Sequence, residues 1–397
     1  MYKISTLNKI APVGLSRFTE NYEIFDGASQ DTGIAGSTAV LVRSQAMHDM
    51  DFDDQLLAIA RAGAGVNNIP LDRCADQGIV VFNTPGANPN SVAELVICSM
   101  IMAARNVDSA ISWEGGLKDD PTVEDISKTV EKGKSKFAGF EIKGKTLGLV
   151  GLGAVGRLVA AGANALGMKV LGFDPYLSPA MAKALEGTVE VRETLAEMLP
   201  DCHFVSLHLP ATDGTKGMVN KDLLASFRDG AVLVNFSRDK LVVEADILEA
   251  LESGKISHYS TDFATPGILG NPKVTCTPHL GASTEEAEDN CAIMAADQLM
   301  SYIETGAIKN SVNFPALSLD LLPPGDKDAA YTTICVMTKG EPEPAKLLSA
   351  MFADKDIFAA KGAVRGEYGY AIGLTKDAVT EVPAVEGVIR VRVITRD

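Results

Sequence analysis

From Lys145 to Gly156 the chain reads K-T-L-G-L-V-G-L-G-A-V-G, a short apolar run that breaks into Gly151-x-Gly153-x-x-Gly156 and resumes at once as an alanine-rich stretch. Strand, glycine turn and helix in that order constrain the fold more than any other feature. The first glycine permits a tight turn, the second lets bare backbone approach a pyrophosphate, and the third lets helix and strand pack closely. The helix start then offers unpaired N–H groups and a positive dipole end to phosphates. On its own such a pattern is often only a loop, but here the setting extends it. After the helix Arg157–Leu166 and the turn at Gly167, a second strand, Lys169–Phe173, ends in Asp174, about twenty residues past the glycines, where an acid accepts the ribose hydroxyls of NAD and repels the extra phosphate of NADP. An ordinary strand-end aspartate is the alternative reading of Asp174.

Further strands follow at Phe204–Leu207, Ala231–Asn235, Ser257–Asp262 and Val274–Thr277, with helical stretches between them. Strands alternating with helices predict a parallel, doubly wound sheet with its functional residues at the carboxyl ends. Before residue 95, the apolar runs Ala39–Val42, Leu57–Ala60 and Ile79–Phe82 alternate with helical patterns as a smaller α/β unit. Ser91–Arg105 reads as a bridging helix with Ser91 as N-cap and Glu94 completing a capping box. Asn106–Lys136 reads as a polar stretch, and Thr284–Thr305 as a long helix returning to the first unit. The boundaries expected are therefore 1–95 with 290–315 for a substrate domain, 96–289 for a nucleotide domain, a linker at 316–329, and a C-terminal domain at 330–397 whose strands and helix suggest a ferredoxin-like βαββ(α)β unit.

A length of 397 residues accommodates two or three domains, and a net charge of −16 disfavours nucleic acid as a partner. An anionic substrate must then be caught by locally placed cations. The most apolar window, Leu147–Val170, is cut by glycines and by Arg157, Asn164 and Lys169, so no membrane span is expected. The N-terminus lacks the apolar core of a secretory signal. Six scattered cysteines (74, 98, 202, 276, 291, 335) form neither a C-x-x-C pair nor a metal-ligand cluster, which fits free thiols in a reducing cytoplasm and no metal.

Two strand ends carry reactive side chains. Leu233–Arg238, L-V-N-F-S-R, puts an arginine directly after a buried strand, and Thr275–Ser283, T-C-T-P-H-L-G-A-S, puts His279 between a strand and a helix. Alone, each has an ordinary explanation, a surface ion pair or a capped loop. Together, downstream of a nucleotide turn, they suggest that Arg238 grips a carboxylate and polarises a neighbouring carbonyl while His279 exchanges a proton with a hydroxyl.

The segments V-R-S (42–44), R-A-G-A-G-V-N-N-I (61–69), F-N-T-P-G-A-N-P-N-S-V-A-E-L (82–95), F-D-P-Y (173–176), V-S-L-H-L-P (205–210), N-F-S-R (235–238) and T-P-H-L-G-A-S (277–283) join the glycine turn in a combination that resembles the D-isomer-specific 2-hydroxyacid dehydrogenases, its phosphoglycerate branch above all. The resemblance covers residues 40 to 315. It implies an α/β architecture, a Rossmann domain inserted in a flavodoxin-like substrate domain, with a ferredoxin-like, ACT-type domain after it. It further implies NAD-linked oxidation of D-3-phosphoglycerate in serine synthesis, with Arg238 and His279 catalytic. NAD would contact Gly151, Gly153, Ala154, Val155, Gly156, Asp174, Leu209, Pro210, Phe236, Ser237, Asp262 and Gly281. The phosphorylated 2-hydroxy acid would be held by Arg43, Ser44, Gly65 and Val66, with Lys134, or Lys136 beside it, reaching the phosphate from a partner subunit of a homodimer or homotetramer. A hydroxypyruvate or glyoxylate reductase shares the catalytic residues, and an NADH-sensing corepressor-type protein shares the fold.

The chain departs from the family in one consequential place. Members usually carry a glutamate shortly after the aspartate that here is Asp262, yet no acid occurs between Asp262 and His279. Reduction of the keto acid is then expected to fail at a lower pH than in relatives, with Asp262 or Glu286 as substitutes for the missing carboxylate. Asp239 replaces the glycine that normally follows the arginine. In the C-terminal unit the loop Thr338–Pro344 lacks the Asn-x-Pro-Gly turn that holds serine in ACT domains, which points to a structural or oligomerising role.

Overall fold

The computed structural model describes residues 1–28, 33–319 and 331–396, and they form two compact units: Met1–Asn88 with Glu285–Asp397, and Pro89–Thr284. The part of the expected linker from 320 to 329 lies outside the described residues.

In the first unit, strands β1 (Tyr2–Thr6), β2 (Tyr22–Asp26), β3 (Ala39–Val42), β4 (Ala58–Arg61) and β5 (Val80–Phe82) make a parallel sheet in the order β2-β1-β3-β4-β5, the flavodoxin-like winding. The helix Glu285–Thr305 presents Ala295, Leu299 and Tyr302 to one face of this sheet and begins with Glu285, Glu286 and Glu288, acids that suit a helix N-terminus.

The second unit holds β6 (Thr146–Val150), β7 (Lys169–Phe173), β8 (Glu190–Val191), β9 (Phe204–Leu207), β10 (Ala231–Asn235), β11 (Ile256–Thr261) and β12 (Val274–Cys276), all parallel, in the order β12-β11-β10-β9-β6-β7-β8. This is the dinucleotide-binding order with one added strand, and its direction reverses between β6 and β9, where such sheets take ligands.

The helix expected from Ser91 begins at Pro89, which puts Ser91 inside its first turn and not at the N-cap, and Glu94 accepts a hydrogen bond from Asn90 Nδ2 at 2.7 Å. Proline presets helical φ at a first position, so it wins the start from Ser91. The unit boundaries accordingly fall at 88/89 and 284/285, at the starts of two helices, rather than at 96 and 289 inside them.

Asn106–Lys136 is not an open polar stretch. It carries the helices Val107–Gly116 and Ile126–Gly133, with Trp113 packed on Phe137 (5.2 Å between rings) and Lys136 Nζ 3.9 Å over the indole. The helices were hidden because so few of their residues are apolar and buried.

The C-terminal segment forms β13 (Tyr331–Lys339), the helix Pro344–Met351, β14 (Ile357–Arg365), β15 (Tyr368–Thr375) and β16 (Val388–Arg396), antiparallel in the order β14-β15-β13-β16. That is the ferredoxin-like order, with no helix between its last two strands. This sheet belongs to the first compact unit, with Met1–Asn88 and the helix Glu285–Thr305. One face of β13, Ile334 and Val336, packs on the helix residues Leu348 and Met351, and the other, Cys335 and Met337, joins the core of Phe82, Leu299, Tyr302 and Phe314. The contact is polar as well. Arg392 donates to the carbonyls of Tyr302 (3.3 Å) and Ile303 (2.9 Å), Tyr370 Oη to Gly306 O (2.6 Å), Arg390 to Leu56 O (2.6 Å), and Lys339 pairs with Asp76 (2.7 Å). The Arg392 guanidinium thus meets the negative end of the helix Glu285–Thr305, where a buried cation is stabilised.

Candidate active site

In the second unit the three glycines of the turn are each required for a different reason. Gly151 has φ +101°, and a Cβ there would lie 2.5 Å from His208 O. Gly156 sits so close under the turn that a Cβ would lie 2.2 Å from Gly151 O. Gly153, at the start of the helix Ala154–Ala165, faces open space, with nothing within 4 Å of an added Cβ. The residues therefore fit a pyrophosphate over Gly153, Ala154 and Val155. Asp174 at the end of β7 steadies the turn, one oxygen accepting from Leu152 N (3.0 Å) and the other from Tyr176 N (2.9 Å), and each oxygen keeps a lone pair for a ribose hydroxyl.

The neighbouring strand ends are tied together. Ser237 Oγ after β10 donates to Leu209 O after β9 at 2.5 Å, and Thr215 Oγ1 to Pro210 O at 2.6 Å. His208, just before that turn, has a half-buried ring whose Nε2 has no partner among the described residues, and burial pushes its pKa down to about 4. Because the folded value lies below the unfolded 6.5, the neutral ring supports folding above pH 6.5, and that support is lost as pH falls towards 4. The loss amounts to about 3 kcal/mol. Urea unfolding followed between pH 7 and 4 should therefore show a slope that His208→Asn flattens, and equal slopes in both proteins would contradict it.

Arg238, His279 and Asp262 come together at the ends of β10, β12 and β11. Asn235 at the end of β10 holds the Arg238 turn, its Nδ2 donating to Arg238 O (2.9 Å) and its Oδ1 accepting from Arg238 N (3.3 Å). The guanidinium half-folds onto Ser237 O at 2.6 Å. His279 is exposed, at φ +51°, with its N–H on Asp262 O (3.1 Å) and its ring edge-on to Phe263 at 5.1 Å. Asp262 is only 4% exposed; Oδ2 accepts from Gly281 N at 3.2 Å and Oδ1 has no partner among the described residues. Burial raises the Asp262 carboxyl above the usual range, opposed by the Gly281 N–H and by the charges of His279 and Arg238. Phe236 and Gly281 are buried beside it.

In the first unit, Arg43 and Ser44 follow β3, and Gly65 and Val66 follow β4. Asn8 Oδ1 accepts the N–H groups of Arg43, Ser44 and Gln45 at 2.9, 2.9 and 3.0 Å. Arg61 Nε donates to Arg43 O at 2.9 Å. The Arg43 guanidinium pairs with Glu288 at 2.5 Å. Neither Asn8, Arg61 nor Glu288 was singled out by sequence reasoning. Arg61 stood in the quoted R-A-G-A-G-V segment, whereas Asn8 and Glu288 carried no local signal at all. Glu286 lies in the first turn of the same helix as Glu288. Lys134, in the second unit, is exposed and pairs with Glu131 one turn earlier at 2.5 Å.

The family model for the D-isomer specific 2-hydroxyacid dehydrogenase, NAD binding domain, matches residues 119–281, so the second unit carries that NAD-binding domain. A putative D-3-phosphoglycerate dehydrogenase of Schizosaccharomyces pombe is 32% identical over 369 residues, 87% of this chain and 74% of the relative. The D-3-phosphoglycerate dehydrogenase of Methanocaldococcus jannaschii is 34% identical over 275 residues, 68% of this chain, and the match spans only half of that relative's length. The cofactor-bound 3-phosphoglycerate dehydrogenase of Entamoeba histolytica superposes with a TM-score of 0.59 at 28% identity, covering 79% of this chain and 98% of that one.

Proposed function

The chain belongs to the D-isomer-specific 2-hydroxyacid dehydrogenases, and from that membership we propose that it is a cytoplasmic NAD-dependent enzyme that oxidises D-3-phosphoglycerate to 3-phosphohydroxypyruvate. The observation that carries the reading is the grouping of Arg238, His279 and Asp262 at adjacent strand ends of the nucleotide-binding sheet.

Bound NAD supplies the hydride acceptor for C2 of the substrate. Arg238 holds the substrate carboxylate in fork geometry and polarises the C2 oxygen. The neutral His279 imidazole takes the C2 hydroxyl proton as the carbonyl forms, and its protonated form returns that proton in the reverse direction. Arg43 and Ser44, with the backbone of Gly65 and Val66, receive the phosphate end, joined by Lys134 from a second copy in a homodimer or homotetramer. The C-terminal sheet, ACT-like in strand order, serves as a structural part.

Asp262 takes the place of the family's glutamate. A carboxylate beside His279 stabilises imidazolium, and reduction of the keto acid needs imidazolium. Asp262→Asn should therefore move the alkaline loss of keto-acid reduction to lower pH; a profile that superposes on the wild type removes Asp262 from this role. The reaction itself is tested by NADH oxidation with 3-phosphohydroxypyruvate, hydroxypyruvate and glyoxylate. Preference for the phosphorylated acid supports the proposal, preference for the others marks a hydroxypyruvate or glyoxylate reductase, and NADH binding without turnover marks a sensor of the corepressor type.

A further inference from the structure

We propose that Glu288 is the resident anion of the Arg43 site, a carboxylate that must release Arg43 before a phosphate can occupy it and so tunes affinity for phosphorylated against unphosphorylated substrates. The inference rests on the reading of Arg43 as a phosphate-binding group.

The backbone around Arg43 is fixed at three consecutive N–H groups by Asn8, and its carbonyl is held by Arg61. From this fixed backbone the guanidinium reaches Glu288 Oε1 at 2.5 Å. The contact runs from a terminal nitrogen, Nη2, to one carboxylate oxygen, and a guanidinium offers five donors and binds phosphate well through two of them.

The pair is also easily opened. Side-chain exposures of 38% and 42% leave both groups in water's reach, where such an ion pair contributes little. Glu288 moreover keeps a favourable setting when Arg43 leaves, because it lies in the first turn of Glu285–Thr305 and faces the positive end of that helix. A dianionic phosphate, with more charge and more acceptor oxygens than a single carboxylate, displaces Glu288 from Arg43. An uncharged hydroxymethyl group gains little by doing so. Glu288 thus lowers the standing affinity of Arg43 for anions without removing its ability to recognise a phosphate.

The test compares full-length wild type, Glu288→Gln and Glu285→Gln, the last making the same charge change in the same helical turn without touching a described ion pair. With NADH as reductant, Glu288→Gln should lower KM for 3-phosphohydroxypyruvate about fivefold, the scale of one exposed ion pair, and leave KM for hydroxypyruvate within about twofold. Glu285→Gln should change neither. Equal KM changes for both substrates, or equal effects of both variants, overturn the proposal. A binding arm separates it from the assigned reaction. Calorimetric titration with inorganic phosphate should show tighter binding to Glu288→Gln than to the other two proteins, even if no keto acid is turned over. Identical phosphate affinity in all three, or none in any, sinks the inference whatever the activity.

Discussion

Ending the chain at Leu319 is expected to leave the first unit unable to fold. The C-terminal sheet does not rest on that unit as an accessory. It supplies Cys335, Met337, Tyr370 and Ile372 to the same core as Phe82, Leu299, Tyr302 and Phe314, all of them 2% exposed or less. Removing it bares Tyr302 together with the carbonyls of Tyr302, Ile303 and Gly306 that Arg392 and Tyr370 now satisfy. The point variant Arg392→Met isolates the polar part. Ile303 O loses the donor given for it, at about 1–3 kcal/mol, while Tyr302 O keeps the Gly306 N–H at 2.9 Å, so the urea midpoint should fall while the fold survives. Circular dichroism and urea titration of both proteins check this, and a truncated chain with cooperative unfolding at the wild-type midpoint would refute it.

Replacing His279 by asparagine should cost about 10²–10⁴ in kcat/KM for keto-acid reduction, the usual span for a lost general acid, with NADH affinity within about twofold. Asparagine is the right replacement because position 279 has φ +51°, which it adopts more readily than most residues. The nucleotide contacts proposed at Gly153, Asp174 and Leu209 lie on other strand ends and are untouched. Steady-state kinetics and NADH fluorescence titration separate the two effects. Turnover above a tenth of the wild-type rate would remove His279 from proton transfer, and a parallel loss of NADH binding would assign it to the cofactor instead.

The parallel sheets were legible because their signals are local. Lys169–Phe173 ending in Asp174, or Ala231–Asn235 running into Arg238, state strand, exit and reactive group within a few residues, and the strands appear at those bounds. What escaped depends on distance. Asn8 meets the N–H of Arg43 from 35 residues away, and Lys339 reaches Asp76 across 263. Neither asparagine nor lysine at those positions announces its partner. The docking of the C-terminal sheet did leave a trace, since Ile334-Cys335-Val336-Met337 is apolar at both odd and even positions, the pattern of a strand covered on both faces. A sheet with one solvated face would alternate.

The grip of Arg392 on the helix Glu285–Thr305 closes late in synthesis. Ninety residues separate Arg392 from Tyr302, whose carbonyl it closes, and the whole of Pro89–Thr284 is made between the two pieces of the first unit. The inserted unit is therefore complete while its host still lacks its last strand. During synthesis, holdase chaperones should find their target in the exposed helix around Tyr302 until Arg392 emerges.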